Sequence, residues 1–326
     1  MPNYFLLALS NRTNLDLCLR YSLAGFTNSG SGFWTFLEIN QGDYVSFLYG
    51  AKAWNLYQVD RKSALKDADK LPPWPPVTFQ PSGRTYYFPF RLHLKPVRAF
   101  QESLVRTEFA YVAENLLLRG GYRKTHFQAD QTTLQNVSIM GEPFRGEVEY
   151  LQVDPVHSYE PLIGFTKESI DHPAVYGFSE LILQALIKRY LRAQGKMRDF
   201  LYEISMNSLA QQSVEILGEL GLPEGQIDAL IQETTPIGVA ERVAIEVKLR
   251  SASIADLEQL GHYVRTLGSE CKGGVLIAER ASRKTLSYAK EKGLRVFRYS
   301  LNLQPNSQPL SFEQLFSGFQ LTQATI

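Results

Sequence analysis

The chain has 326 residues, 44% of them hydrophobic and 21% charged, with a formal net charge of +1. That length suits two domains with real cores, and the near-zero charge excludes a bulk polycation, so a nucleic-acid partner needs a local basic surface. Two cysteines far apart, Cys18 and Cys271, exclude a disulfide framework and fit a reducing compartment.

The first hundred residues are aromatic-rich and read mostly as short strands, at Tyr4–Leu9, Tyr44–Tyr49, Trp54–Val59 and Tyr86–Leu94. Breakers separate them: Asn28-Ser29-Gly30-Ser31-Gly32, Gly42-Asp43, and the proline cluster around Trp74. A helical pattern follows at Ser103–Leu118 and stops at Gly120-Gly121. Residues 122–170 are polar with few strong signals and read as a connector. Beyond 173 the texture changes to an amphipathic helix at Ser179–Ala193, strands at Ser213–Leu220, Gln226–Glu233 and Arg242–Leu249, and a helix at Ile254–Leu267. A strand at Gly274–Ala278, a helix at Ser282–Lys292 and a strand at Leu294–Tyr299 complete an α-β-β-β-α-β-α-β order, and the end reads as a polar tail.

Several chemistries are excluded by what is missing. There is no G-x-x-x-x-G-K-[ST], no G-x-S-x-G and no H-E-x-x-H, and His93, His126, His157, His172 and His262 are scattered. Nucleotide-driven, serine-hydrolase and zinc mechanisms therefore have no support, and no nucleotide cofactor is expected. No apolar run approaches the ~18 residues of a membrane span, and the opening MPNYFLLALSNRTN has neither basic leader nor cleavage site. A soluble, cytoplasmic protein with no membrane partner is expected.

The segment RVAIEVKLR, residues 242–250, alternates without a break, as a half-buried strand does. Its polar face carries Glu246 and Lys248. The preceding segment, Gly225–Ile231, alternates too and carries Asp228. If the two strands pair antiparallel about a turn centred near Ile237, Asp228 and Glu246 fall directly opposite each other. Like charges so placed repel, and a bound hard cation reverses the sign. The next helix offers Gln259 and Tyr263 at i, i+4, hence on one face.

Asp228, then Glu246-Val247-Lys248, then Gln259-x-x-x-Tyr263 resemble the PD-(D/E)XK nuclease superfamily, over roughly residues 173–300. The closest flavour is that of NucS-type and Mrr-like endonucleases, in which a G-x-I-D strand precedes a V-E-x-K strand. The resemblance implies Asp228 and Glu246 as Mg²⁺ ligands with the Val247 carbonyl contributing, Lys248 positioning the attacking water, and Gln259 supporting the site. It also implies an acid on the first core helix, for which Glu180 is the best match and Glu203 the rival. The proline of the eponymous motif is replaced by Ile227.

The front half holds all three tryptophans, Trp34, Trp54 and Trp74. The order Tyr4–Ser10, Gly32-Phe33-Trp34, Gln41–Tyr49 and Tyr87–Leu92 before Lys95-Pro96-Val97 resembles the EVE/YTH group of PUA-like domains, over about residues 1–125. It is also similar to the base-reading domain of some McrB-type restriction proteins. The resemblance implies an aromatic cage that receives a modified base, N6-methyladenine or a modified cytosine, extruded from the stack. Trp34 is the best cage candidate, Trp74 and Trp54 compete for the other wall, and Ser10 and Asn11 match polar contact positions. Arg119, Arg123 and Lys124 suit contacts to the DNA backbone.

The fold expected is therefore α/β in two domains. An EVE/YTH-like (PUA superfamily) mixed β-barrel with helices at 1–125 leads through a connector at 126–170 to a PD-(D/E)XK α/β sandwich at 171–326. The expected activity is Mg²⁺-dependent hydrolysis of double-stranded DNA near a modified base, by a restriction-type endonuclease acting as a homodimer. The alternatives are an RNA-directed or DNA-repair nuclease, or a non-catalytic binder of modified nucleic acid.

Overall fold

The computed structural model describes residues 1–50, 52–80, 82–101, 125–166, 174–222, 225–302 and 308–325. The predicted helix at Ser103–Leu118, and with it Arg119, Arg123 and Lys124, lies outside the described residues. The chain divides into two compact units, one of Met1–Leu162 with Thr166–Gly177 and one of Ile163–Phe165 with Phe178–Ile326.

The first unit is built on a mixed sheet. Its strands are β1 (Tyr4–Ala8), β2 (Leu23–Phe26), β3 (Tyr44–Tyr49) and β4 (Lys52–Ala64), then, beyond the hairpin β5 (Val77–Phe79) and β6 (Arg84–Tyr86), β7 (Phe90–Ala99), β8 (His126–Ala129) and β9 (Glu142–Pro143). The order across the sheet is β2-β7-β4-β3-β1-β8, with β9 added on β7. Among the described residues β2 and β8 are its two ends and do not pair, so the barrel expected from the sequence is here an open sheet. Among the described residues this unit carries the helices α1 (Arg12–Tyr21), α2 (Gly30–Glu38) and α3 (Gln131–Ser138).

Gly30–Gly32 is not a loop but the first turn of α2, with Ser29 as N-cap accepting from the Gly32 amide at 3.1 Å. Gly32 is needed because a Cβ there would lie 2.0 Å from the Thr27 carbonyl oxygen. Residues 126–129, read as connector, pair antiparallel with β1 as a strand of the sheet.

Short strands β10 (Leu162–Gly164) and β11 (Val175–Gly177) precede the second unit's main elements. Those are α4 (Glu180–Arg192), α5 (Lys196–Glu203), α6 (Asn207–Ala210), β12 (Val214–Leu222), β13 (Gly225–Glu233), β14 (Arg242–Ala252), α7 (Ile254–Thr266), β15 (Cys271–Ala281), α8 (Arg283–Glu291), β16 (Arg295–Ser300), α9 (Phe312–Gly318) and β17 (Gln320–Gln323). The strands form one sheet in sequence order, β12 to β17. β14, β15 and β16 run parallel, joined through α7 and α8, and antiparallel strands flank them.

Parallel strands buried on both faces read as continuous apolar runs, which is why Val275–Ala278 is apolar throughout and fully buried. By the pleat, Leu276 and Ala278 face one side and Ile277 the other. Leu257, Leu260 and Tyr263 of α7 and Leu286 of α8 pack with Leu276 and Ala278. Phe297, in register with Ile277, meets Phe200 of α5 with ring centroids 4.9 Å apart. Helices therefore cover both faces. The predicted polar tail is instead α9 and β17, whose pairing with β16 extends the sheet.

Candidate active site

β13 and β14 form the antiparallel pair predicted, with Ala229 opposite Ile245, Leu230 opposite Ala244 and Ile231 opposite Val243. The ladder stops at Ala229–Ile245. One residue beyond, Asp228 does not continue it; its carboxylate takes over the bond, accepting from the Val247 amide at 2.7 Å through Oδ2. Its Oδ1 accepts from Gln184 Nε2 of α4 at 2.8 Å. Asp228 is buried, 8% exposed.

The two-residue period of β14 puts Glu246 and Lys248 on one face, and Lys248 Nζ donates to Glu246 Oε1 at 2.7 Å. The same ammonium lies 4.0 Å from Glu180 Oε1. Glu180 is the first residue of α4, after Ser179 at the N-cap. Of the two first-helix acids the sequence offered, Glu180 stands at the cluster. Glu203 is elsewhere, its Oε1 accepting from the Gln323 amide at 3.2 Å.

Glu246 and Glu180 thus share one ammonium, whose charge Asp228 also feels. Burial, reinforced by the charge of Glu246, holds the Asp228 carboxyl well above the usual carboxylate range, against the Val247 hydrogen bond. Burial also raises Glu246, with Lys248 pulling it back. Burial works to lower Lys248, but its bond to Glu246 and the charges of Glu246, Glu180 and Asp228 outweigh it and leave the ammonium above its ordinary value.

Whether these residues fit a divalent cation is tested by what they leave unmade. Among the described residues no group of three or more His, Cys, Asp or Glu side chains forms a ready-made cage. Mg²⁺ does not require one, since it is held by one or two carboxylates and keeps several waters. Here two buried oxygens, Glu246 Oε2 and Gln184 Oε1, have no hydrogen-bond partner. Buried acceptors without donors are costly and rare. Two crowded acids, each with its pKa raised, together with orphaned oxygens are a donor set that a hard divalent cation fits.

Gln259 and Tyr263 meet as their spacing implies, Gln259 Nε2 donating to Tyr263 Oη. Tyr263 is buried, and its hydroxyl also accepts from the Gln226 amide at 3.2 Å. The pair therefore ties α7 to the start of β13, two residues before Asp228. Val247 contributes its backbone amide to Asp228.

In the first unit the tryptophans have separate surroundings. Trp34, on α2, is buried with its ring centroid 4.5 Å from that of His126. Trp74 is buried over Gly25 and against Phe88, with the Arg91 guanidinium 5.6 Å from its ring. Trp54 is half-buried and carries the Arg12 guanidinium 5.0 Å from its ring. Asn11 is the N-cap of α1, accepting from Asn14, and Ser10 beside it is exposed.

A cleft of about 360 Å³ opens in the same unit, lined by Tyr87, Tyr159 and Tyr176, with Leu65 and Pro89 and the charged Lys66, Asp67 and Asp69. Tyr176 stacks on Phe33, centroids 4.3 Å apart. Burial raises the Tyr159 and Tyr176 phenols, so both are neutral donors at physiological pH. The three tyrosines come from three distant segments, and nothing local in the sequence marks them as a group. Gln184 was equally unmarked, although its place four residues after Glu180 puts both on one helix face.

No family model matches the chain, and no curated protein matches it. Solved structures with local likeness include a repair endonuclease from Pyrococcus abyssi, at 17% identity and TM-score 0.23, covering 32% of this chain and 46% of that one. An EndoMS complex with double-stranded DNA is similar at 20% identity and TM-score 0.23, over 32% of this chain and 42% of that one. The MmI1 YTH domain is similar at 14% identity and TM-score 0.30, over 42% of this chain and 92% of that one. The chain spans under half the length of the endonucleases it matches. Likeness at this level carries no function over, and the chemistry is read from the chain's own residues.

Proposed function

We propose that the second unit is a divalent-metal-dependent endonuclease and the first a reader of a modified base, making the protein a modification-dependent DNA endonuclease of the restriction type. One observation carries the reading: Asp228, Glu246, Lys248 and Glu180 converge where the β13–β14 ladder ends, and Glu246 keeps a buried oxygen without a donor. A structural salt-bridge cluster has no use for an orphaned carboxylate oxygen; a metal site does.

Asp228 and Glu246 would hold Mg²⁺, with the Val247 carbonyl as a further ligand. Bound there, the cation would polarise the phosphate and lower the pKa of a coordinated water. The chain's own residues supply positioning. The Val247 amide and Gln184 fix the Asp228 carboxylate. Lys248, held charged by Glu246 and Glu180, presents an ammonium beside the carboxylates, where it would orient a water nucleophile and stabilise negative charge on the phosphate oxygens. Gln259, through Tyr263, steadies the strand that carries Asp228.

For base recognition, aromatic walls receive a base taken out of the stack. The tyrosine-lined cleft supplies such walls and the carboxylates of Asp67 and Asp69 as acceptors for an exocyclic amine. Of the tryptophans that the resemblance nominates, Trp34 and Trp74 are buried, and Trp54 is half-buried with the Arg12 guanidinium 5.0 Å from its ring. Cutting both strands needs two nuclease units, so a homodimer is part of the proposal.

The test compares cleavage of duplexes carrying N6-methyladenine, modified cytosine or no modification, with Mg²⁺ and with EDTA. Asp228→Ala and Lys248→Ala serve as controls. Cleavage of the modified duplex alone, lost in both variants, is expected. Activity in the variants equal to that of the parent protein would overturn the catalytic reading, and cleavage indifferent to modification would overturn the reader.

A further inference from the structure

Gln184 lies on α4 four residues after Glu180, is 4% exposed, and holds Asp228 Oδ1 while the Val247 amide holds Oδ2. Only its amide nitrogen can donate to Asp228 Oδ1, which fixes the orientation of the carboxamide. The carboxamide oxygen, at the other end of the group that holds Asp228, is thereby left buried with no donor. Glu246 Oε2 is in the same condition. A glutamine kept only to steady Asp228 would gain by satisfying its second end, since an unmade hydrogen bond in a buried site costs its full desolvation. A neutral oxygen beside two acids whose charges already repel is what a hard cation uses to raise its ligand number without adding further negative charge.

We propose that Gln184 is a bifunctional residue of the metal site, holding Asp228 through its nitrogen and giving its carboxamide oxygen to the divalent cation or to a water bound to it. The proposal rests on the nuclease reading and adds to it a ligand from the first core helix other than an acid. Gln184 is thus a positioning residue for Asp228 in the metal-free state and a metal-facing oxygen in the loaded one.

Mn²⁺ is the probe, with binding followed by calorimetry and by the rise in melting temperature over the EDTA-treated protein. Gln184→Met keeps the volume and removes both polar ends. It is expected to fold, and to bind Mn²⁺ about tenfold or more weakly, the range seen when residues supporting a metal site are lost. Gln184→Glu keeps an oxygen but replaces the donor facing Asp228 with another carboxylate. It is expected to melt lower than the parent protein in EDTA and to recover that loss with Mn²⁺, so its metal-induced shift is the largest of the three.

A merely structural role gives another pattern. Gln184→Glu would then stay destabilised whether or not Mn²⁺ is present, and Gln184→Met would bind Mn²⁺ as the parent does. Either result overturns the assignment of Gln184 while leaving the nuclease reading intact. Absence of Mn²⁺ binding in the parent protein overturns both.

Discussion

The Val247 amide donates to the Asp228 carboxylate at 2.7 Å, at the point where the backbone pairing of their strands gives out. A side chain thus replaces a ladder bond, and the acid is anchored to the residue that separates Glu246 from Lys248. Buried carboxylates in that position oppose the fold unless something offsets their charge.

Replacing Asp228 by asparagine removes one buried charge and keeps an oxygen for the Val247 amide. The metal-free protein should melt higher than the parent, while Mn²⁺ no longer raises its melting temperature and cleavage is lost. Thermal melts with EDTA and with Mn²⁺, run beside the cleavage assay, check all three. A lower melting temperature in EDTA would mean that the carboxylate is net stabilising.

The same burial sets a pH dependence. Asp228 and Glu246 have folded-state pKa values above their ordinary ones, so the folded protein holds these protons more tightly than the unfolded chain does. Their contribution to stability is fully present below the unfolded carboxylate pKa and is lost as pH rises through the raised folded values. Metal-free protein should therefore lose stability at this site as pH climbs from the acid range to neutrality, and Asp228→Asn should flatten that slope. Since the cation must displace protons, apparent Mn²⁺ affinity should rise with pH, with proton release visible as a buffer-dependent enthalpy.

Trp34 and the tyrosine cleft separate stability from recognition in the first unit. Trp34 is 4% exposed and packed on His126, so Trp34→Ala should cost about 3–5 kcal/mol, as buried aromatic truncations do. Tyr87→Ala acts on a half-exposed wall of the cleft. It should leave the melting temperature near that of the parent while weakening binding to modified duplex. Circular dichroism melts and fluorescence anisotropy distinguish the two. A Tyr87→Ala protein with parental affinity would take the cleft out of base recognition.

Gly225 shows how closely the start of β13 is fitted to α7. A Cβ there would lie 2.3 Å from Tyr263 Oη, inside the contact that joins Tyr263 to the Gln226 amide. Gly225→Ala should destabilise the second unit by about 1–3 kcal/mol, the usual cost of overpacking. It should also lower cleavage, because Asp228 lies three residues on. Tyr263→Phe, which removes the hydroxyl but not the ring, should relieve part of the clash when combined with it, and a double-mutant cycle measures that coupling.

Much of the second unit was legible because its signals are local and periodic. Two alternating stretches about Ile237 were enough to give the register Ala229–Ile245, and serines at positions 179, 253 and 282 stand at the N-caps of α4, α7 and α8. What was missed had a different cause in each case. The end of the chain looked polar, yet Ser311 and Gln314 form a capping box, a four-residue signal that starts a helix. Asn28–Gly32 looked like a loop because Gly32, a breaker in sequence, answers to close backbone contact with Thr27. Gln184 carries no charge, and only its position against Asp228 in three dimensions gives it a role.

Lys248 is the residue whose replacement best separates charge from shape. Its ammonium offsets part of the repulsion among Glu180, Glu246 and Asp228, so it acts on both stability and chemistry. Lys248→Met keeps the aliphatic stem, which packs beside a half-buried site, and deletes the charge. Without it the carboxylates should take up protons at higher pH than in the parent, so the acid limb of the cleavage profile should move to higher pH. The maximal rate should fall by about 10²–10³-fold, the scale for losing one preorganised electrostatic contact in a site of this kind. Lys248→Arg restores the charge but not the compact geometry, so it should return the acid limb toward the parent's position while recovering little of the rate. A pH–rate profile of the three proteins decides it: equal rates in Lys248→Met and the parent would leave Lys248 as half of an ion pair with Glu246 and nothing more.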